Sequence, residues 1–323
     1  MKRNKLLAAT SFKNLGTRIL VAVVAIPLIV LLAMQGGYLF FFLVAAISAL
    51  MLLEFYALAE AKGAFPVKSL GLIFGFLVNA AFIYERSQVA IYQFFLDRGI
   101  HLSMFSQLQF LLVILLVFFL LVLLIELFRV KGSPLHNVAA TIMGVVYISL
   151  FLGTLISSRE LFPYGFPVHK FFTVTLAREL ELERIEQWGG YTVVALFASI
   201  WICDTAAYFS GLTLGRHKLF ERVSPKKTWE GAVFGFVFAV LTMVAARSLV
   251  LDYLSIQDAL IIGMMVGIFG QLGDLIESRF KRDAGVKDSS GLIPGHGGLF
   301  DRFDSLVYVA PMVYLYIDFV VLS

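Results

Sequence analysis

The sequence predicts an all-α, polytopic integral membrane protein. Of its 323 residues, 60% are hydrophobic and only 15% are charged, where a soluble domain carries about 25% charged residues. Mean hydropathy is +0.89. The apolar residues fall in runs close to the ~20 that an α-helix needs to cross ~30 Å of hydrocarbon. A helix satisfies its own backbone polar groups in lipid, so each run reads as a helix.

Nine runs are expected to span, with ends uncertain by a few residues: 19–36, 38–59, 69–84, 108–128, 138–157, 191–212, 232–251, 258–276 and 305–322. Residues 1–18 form a basic tail, with Lys2, Arg3, Lys5, Lys13 and Arg18 among apolar residues, and read as a topology determinant. The run that follows is long, as is its basic leader. It lacks a small-x-small cleavage site, so it reads as an uncleaved anchor. With a cytoplasmic N-terminus, 19 of the 26 Lys and Arg lie on the cytoplasmic side and 7 on the other. That is the bias the positive-inside rule requires, and one span more or fewer would erase it. The bases are thus distributed by side of the membrane, and no nucleic-acid partner is expected. The single Cys203 permits no intramolecular disulfide or thiolate zinc cluster, and the five histidines show no metal-ligand spacing.

Spans one to five are mostly aliphatic and aromatic. Their notable acids, Glu54 and Glu126, sit near cytoplasmic ends where a carboxylate reaches water, and read as structural. The connection 85–107, with Tyr92, Phe94 and Phe95, reads as interfacial. In the outer connection 158–190, residues 177–188 mix charge with Leu at short spacings, as a surface helix would. The chain then divides into the tail 1–18, an N-terminal transmembrane region 19–190 with a long outer loop, and a catalytic transmembrane region 191–323.

Polar chemistry begins in span six. Trp201, Asp204, Tyr208, Gly211 and Gly215 share one helical face. A carboxylate beside small residues predicts a polar crevice against a neighbouring helix. The basic connection 215–231 follows, where Lys226 and Lys227 would neutralise phosphates as point charges. Ser224 and Thr228 would donate to phosphate oxygens. In span eight, Gly263, Gly267, Gly270 and Asp274 recur on one face, extended by Gln271, Ser278, Lys281 and Arg282 if the helix continues.

Residues 271–304 concentrate charge. They hold the acids Asp274, Glu277, Asp283, Asp288, Asp301 and Asp304 and the bases Arg279, Lys281, Arg282, Lys287 and Arg302. The Gly-rich part, 283–298, can bring backbone N–H groups to anionic oxygens, but it lacks the Walker A spacing. His296 reads equally as a phosphate contact or as a structural residue. Asp301 and Asp304 are three apart and project from one side of a helix. Together with Asp274 they form an oxygen-rich set suited to a hard cation such as Mg²⁺.

These residues resemble a known family. Ser278, Lys281, Arg282, Lys287, Asp288, Ser290, Ile293, Pro294, His296, Gly297, Gly298, Asp301, Arg302 and Asp304 stand in the spacing of the phosphatidate cytidylyltransferase (CDP-diacylglycerol synthase) signature. Asp204–Tyr208 and Ser224–Gly231 are similar to two further blocks, so the specific resemblance covers about residues 200–305. The resemblance implies the reaction of CTP with phosphatidate to give CDP-diacylglycerol and pyrophosphate in phospholipid biosynthesis. It also implies Mg²⁺, a second cation such as K⁺, a homodimer, and a multi-pass protein of the cell (inner) membrane with its site facing the cytoplasm. On this reading Asp274, Asp301 and Asp304 hold metal. Lys226, Lys227, Lys281, Arg282 and Arg302 offset phosphate charge, and Asp288 is an acid behind the metal ligands or at a second metal. His296 contacts phosphate. Asp204, Tyr208, Ser224, Thr228, Ser278 and Lys287 bind substrate. The alternatives are a cytidylyltransferase for another lipid phosphate, a paralogue serving only as a scaffold, and an ion-coupled transporter. A transporter would typically show inverted repeats around a mid-membrane site, and no repeat is evident in the sequence.

Overall fold

The computed structural model describes residues 21–101, 103–165, 179–292 and 297–323. The basic tail 1–18 and His296 lie outside the described residues. Among the described residues ten helices run in order: α1 Val21–Gln35, α2 Gly37–Ala61, α3 Lys68–Ala81, α4 Tyr84–Leu96, α5 Gln107–Leu127, α6 Pro134–Phe162, α7 Glu179–Thr213, α8 Trp229–Leu249, α9 Ile256–Asp283 and α10 Phe300–Tyr316. A short π-helical turn, Val145–Leu150, lies within α6, and another, Ile317–Val321, extends α10.

The all-helical, polytopic expectation holds, and each expected run falls largely on a helix where it is described. Among the described residues, seven helices are long and apolar enough to cross a membrane, or eight if α3 and α4 form one broken span. The expected third span ends where the chain bends by 87° between α3 and α4. The connection 85–107 therefore contains a helix, which exposes Val89, Tyr92 and Phe94. The first expected span begins in residues that are not described, and α1 alone is shorter than a span. The stretch around 179–188 is helical, but as the start of α7 rather than as a separate surface helix.

The break between α1 and α2 has a physical cause. Gly36 takes φ 66°, and the preceding carbonyls of Ala33 and Met34 accept from the Arg159 guanidinium at 2.6 and 2.8 Å. Glu160 accepts from the Gly37 amide at 2.8 Å and pairs with Arg86 at 2.8 Å. At the other end of this half, Glu126 accepts from the buried Asn137 amide at 2.6 Å and, at 6% exposed, is buried rather than reaching water as expected.

The second half, α7–α10, is held by close backbone approach. A Cβ at Gly263 would lie 2.6 Å from the Val240 Cα, and one at Gly273 would lie 2.6 Å from the Asp304 carbonyl oxygen. Lipid gives no hydrophobic drive between helices, so small residues that allow such contact supply much of the packing. The stripe expected on one face of α9 thus serves two neighbours. Gly263 and Gly267 meet α8, while Gly270 and Gly273 face α10.

The basic connection between α7 and α8 folds into an antiparallel hairpin, β1 Lys218–Phe220 and β2 Ser224–Thr228. Thr228 closes it and caps α8, accepting from the Gly231 amide at 3.2 Å. The C-terminal ends of α2, α7 and α9, the N-terminal ends of α8 and α10, and the hairpin lie on one side of the bundle. Lys62, just after α2, pairs with Asp283 at the end of α9 at 3.6 Å.

Candidate active site

A cavity of about 890 Å³ opens at this end of the bundle, among α7, the hairpin, α8, α9 and α10. It lies within the 300–1,000 Å³ range of small-molecule sites. Its α7 wall is the face expected from the sequence, Trp201, Asp204, Tyr208, Gly211 and Gly215. Tyr208 stands 62% exposed at the edge. The hairpin contributes Lys218, Lys226, Lys227 and Thr228; α9 contributes Gln271, Asp274 and Lys281; α10 contributes Asp301, Arg302 and Asp304; and the intervening loop contributes Asp288. Both signs of charge therefore line one space that opens off a membrane bundle.

The charges are ordered rather than scattered. Lys227 Nζ lies 2.6 Å from Asp274 Oδ2. Lys281 Nζ lies 2.7 Å from Glu277 Oε2 and 2.5 Å from Asp301 Oδ1. Asp274, Glu277 and Asp304 each offer a carboxylate oxygen, all within 4.8 Å of one another. Glu277 is fully buried, and neither of its oxygens accepts a well-aligned hydrogen bond. Three converging carboxylates with spare lone pairs suit a hard divalent cation.

The structure regroups the expected metal set. Asp274 and Asp304 come together as anticipated, but Glu277 completes the group. Asp301 turns aside because its donors are already placed. Its Oδ1 meets Lys281, while its Oδ2 accepts from the Ser289 amide at 3.0 Å and the Gly298 amide at 2.8 Å. Glu277 sits one turn from Asp274 on α9, a spacing visible in the sequence.

Four other expected residues do not line the cavity. Ser224 pairs within the hairpin opposite Phe220. Ser278 points to Asp274 Oδ1 at 3.3 Å. The Arg282 guanidinium donates to the Val223 and Val286 carbonyls, tying the hairpin turn to the end of α9. Lys287 is exposed on the loop. Thr228 does line it, with its oxygen also serving as the α8 cap.

Glu54 was read as an acid reaching water, yet it is only 6% exposed. It accepts from the Ser289 hydroxyl at 2.9 Å, the Ser290 hydroxyl at 2.5 Å, the Leu299 amide at 3.0 Å and the Phe300 amide at 2.7 Å. No local pattern could reveal it, because its partners lie at least 235 residues away. Glycine at 298 follows from this convergence. A Cβ there would come within 2.0 Å of the Ser289 hydroxyl oxygen and 2.5 Å of Glu54 Oε2. Gly298→Ala is therefore expected to push the loop off Asp301 and lower turnover by about 10²-fold, as misplacement by ~1 Å commonly does. Steady-state kinetics on the purified variant check this.

The fold and the cleft define a multi-pass membrane protein whose polar site is built from facing bases and clustered acids where its spans end. The family model described as "Cytidylyltransferase family" matches residues 16–320, and the chain belongs to that family. A Synechocystis protein named phosphatidate cytidylyltransferase is 32% identical over 308 residues, covering 93% of this chain and 95% of that protein. Proteins of the same printed name are similar over a shorter stretch. The Staphylococcus haemolyticus relative is 42% identical over 125 residues, 39% of this chain and 48% of its own. The Staphylococcus aureus relative is 41% identical over 125 residues, with the same shares.

Proposed function

We propose that this chain transfers the cytidylyl group of CTP to phosphatidate, giving CDP-diacylglycerol and pyrophosphate. The observation that carries the reading is the one cavity in which Lys226, Lys227, Lys281 and Arg302 face the Asp274 and Asp304 carboxylates, with Glu277 buried beside these two acids. The cytidylyltransferase family supplies the reaction class. The relatives' printed name supplies the lipid.

A phosphatidate oxygen attacks the α-phosphorus of CTP, a new P–O bond forms, and the bond to the pyrophosphate oxygen breaks. The lipid phosphate is itself the nucleophile, so no covalent enzyme intermediate is needed. Charge spreads over the phosphoryl oxygens in the transition state, where prepositioned cations act most strongly. Lys226, Lys227 and Arg302 bind and orient the phosphates. Lys281, fixed between Glu277 and Asp301, holds its charge in place without reorganisation. Asp274, Glu277 and Asp304 would hold a divalent cation, which we take to be Mg²⁺ and which neutralises and aligns phosphate oxygens when bound. We take the cavity edge marked by the exposed Tyr208 and by Asp204 as the route for the lipid head.

The resemblance extends the proposal to a second cation such as K⁺, a homodimer, and a site on the cytoplasmic side of the inner membrane. We take 191–323 as the catalytic region and 19–190 as its transmembrane support, behind the tail 1–18. The test is purified protein in detergent with labelled CTP, offered phosphatidate or other lipid phosphates, and other nucleotides in place of CTP. Selective labelling of phosphatidate by CTP is expected. Preferred labelling of another lipid phosphate would reassign the substrate.

A further inference from the structure

We infer that Glu54, on α2 of the N-terminal region, is the positioning residue that fixes the loop and helix end carrying Asp301. This rests on the cytidylyltransfer reading above, because it names a further residue of that same site. Four donors converge on the Glu54 carboxylate, two hydroxyls from the loop and two backbone amides from the start of α10. A carboxylate has about four acceptor positions on its two oxygens, so the set is saturated. α10 has no capping side chain of its own at Leu299. Glu54 supplies the cap from another helix, and its negative charge complements the α10 dipole.

The contact reaches the cavity in two steps. The Ser289 oxygen lies 2.9 Å from Glu54 Oε2 and 3.0 Å from Asp301 Oδ2. Its one proton serves one acid at a time, so the hydroxyl couples the two. Asp301 in turn holds Lys281, the cation facing the phosphate space. Glu54 touches no cavity atom itself; it acts through Ser289, Asp301 and the α10 end. This gives the N-terminal region a task in the reaction beyond spanning the membrane.

Glutamine is nearly the same size but has one acceptor oxygen. Its NH₂ would face the Leu299 or Phe300 amide, donor against donor. The experiment compares wild type with Glu54→Gln, Glu54→Asp and a control, Glu60→Gln, which lies on the same helix in the solvated Glu60–Lys68 pair. It reads kcat, KM for CTP and phosphatidate, melting temperature in detergent, and amide exchange at Leu299 and Phe300.

For Glu54→Gln we expect kcat to fall about 10²-fold, with KM for phosphatidate within about threefold and exchange faster at both amides. Glu54→Asp should recover part of the kcat, and Glu60→Gln should match wild type. A folded Glu54→Gln with wild-type kcat and unaltered exchange would overturn the inference. If Glu54→Gln does not fold, Ser289→Ala decides, since it leaves both amides on Glu54: lowered kcat supports the coupling and unchanged kcat refutes it. Should wild type itself lack cytidylyltransfer, the reaction reading fails, and amide exchange alone decides the positioning. Acceleration then upholds it, and no change rejects it.

Discussion

Replacing Asp304 by Asn is expected to lower cytidylyltransfer by about 10²–10³-fold while leaving the fold intact, the range seen when one preorganised electrostatic group is lost. Asp304 is 9% exposed and shares its 4.8 Å neighbourhood with Asp274 and Glu277. Three like charges so close repel one another, an effect that Lys227 beside Asp274 and Lys281 beside Glu277 offset in part. Removing one charge should therefore hold or raise stability in cation-free buffer. Asn keeps an oxygen for the Ser305 amide, which Asp304 Oδ1 accepts at 2.7 Å, so the substitution removes charge and little else. The rate measured across a Mg²⁺ titration, with melting temperature alongside, separates the two effects. Activity should vanish in chelator and return with Mg²⁺ in wild type. In the variant a much higher concentration should be needed, with only partial recovery.

The second large effect is expected at Lys281. Lys281→Met would strand Glu277, which has 0% of its surface exposed and pairs only with this ammonium among the described salt bridges. Breaking one side of a buried pair costs about 3–5 kcal/mol, because the remaining charge is left uncompensated. Asp301 would lose its partner in the same step. The variant should melt well below wild type and be inactive. Adding Glu277→Gln should restore much of the stability, since the stranded charge is gone. It should not restore activity, since the phosphate-facing cation remains absent and the added substitution removes one carboxylate of the trio. Thermal melts in detergent beside single-turnover rates check both halves.

The parts legible in the sequence follow from short periods. The cavity face of α7 could be read from Asp204, Tyr208 and Gly211 because one helix carries them all, with Gly215 just past its end. The continuation of α9 to Asp283 put Lys281 where the spacing from Asp274 said it would be. What stayed hidden depends on pairing across the chain. Asp301 and Asp304 share a helix side, but only the position of Lys281 and the loop amides decides which of them turns to the acidic trio. The contacts of Arg282 with the carbonyls of Val223 and Val286 join segments far apart or outside the helix, so its spacing could not show them. The bend of 87° between α3 and α4 was likewise hidden, because an apolar run does not say where a helix breaks.

Cytidylyl transfer from CTP to a lipid phosphate moves the α-phosphorus into lipid and releases the β- and γ-phosphates together. The most direct measurement follows two labels at once, one on the α-phosphate and one on the γ-phosphate, with purified protein, phosphatidate and Mg²⁺. The account expects α-label in the organic phase as CDP-diacylglycerol and γ-label in the aqueous phase as pyrophosphate, in equal amounts. Release of γ-label as orthophosphate, or an organic phase without α-label, would contradict it.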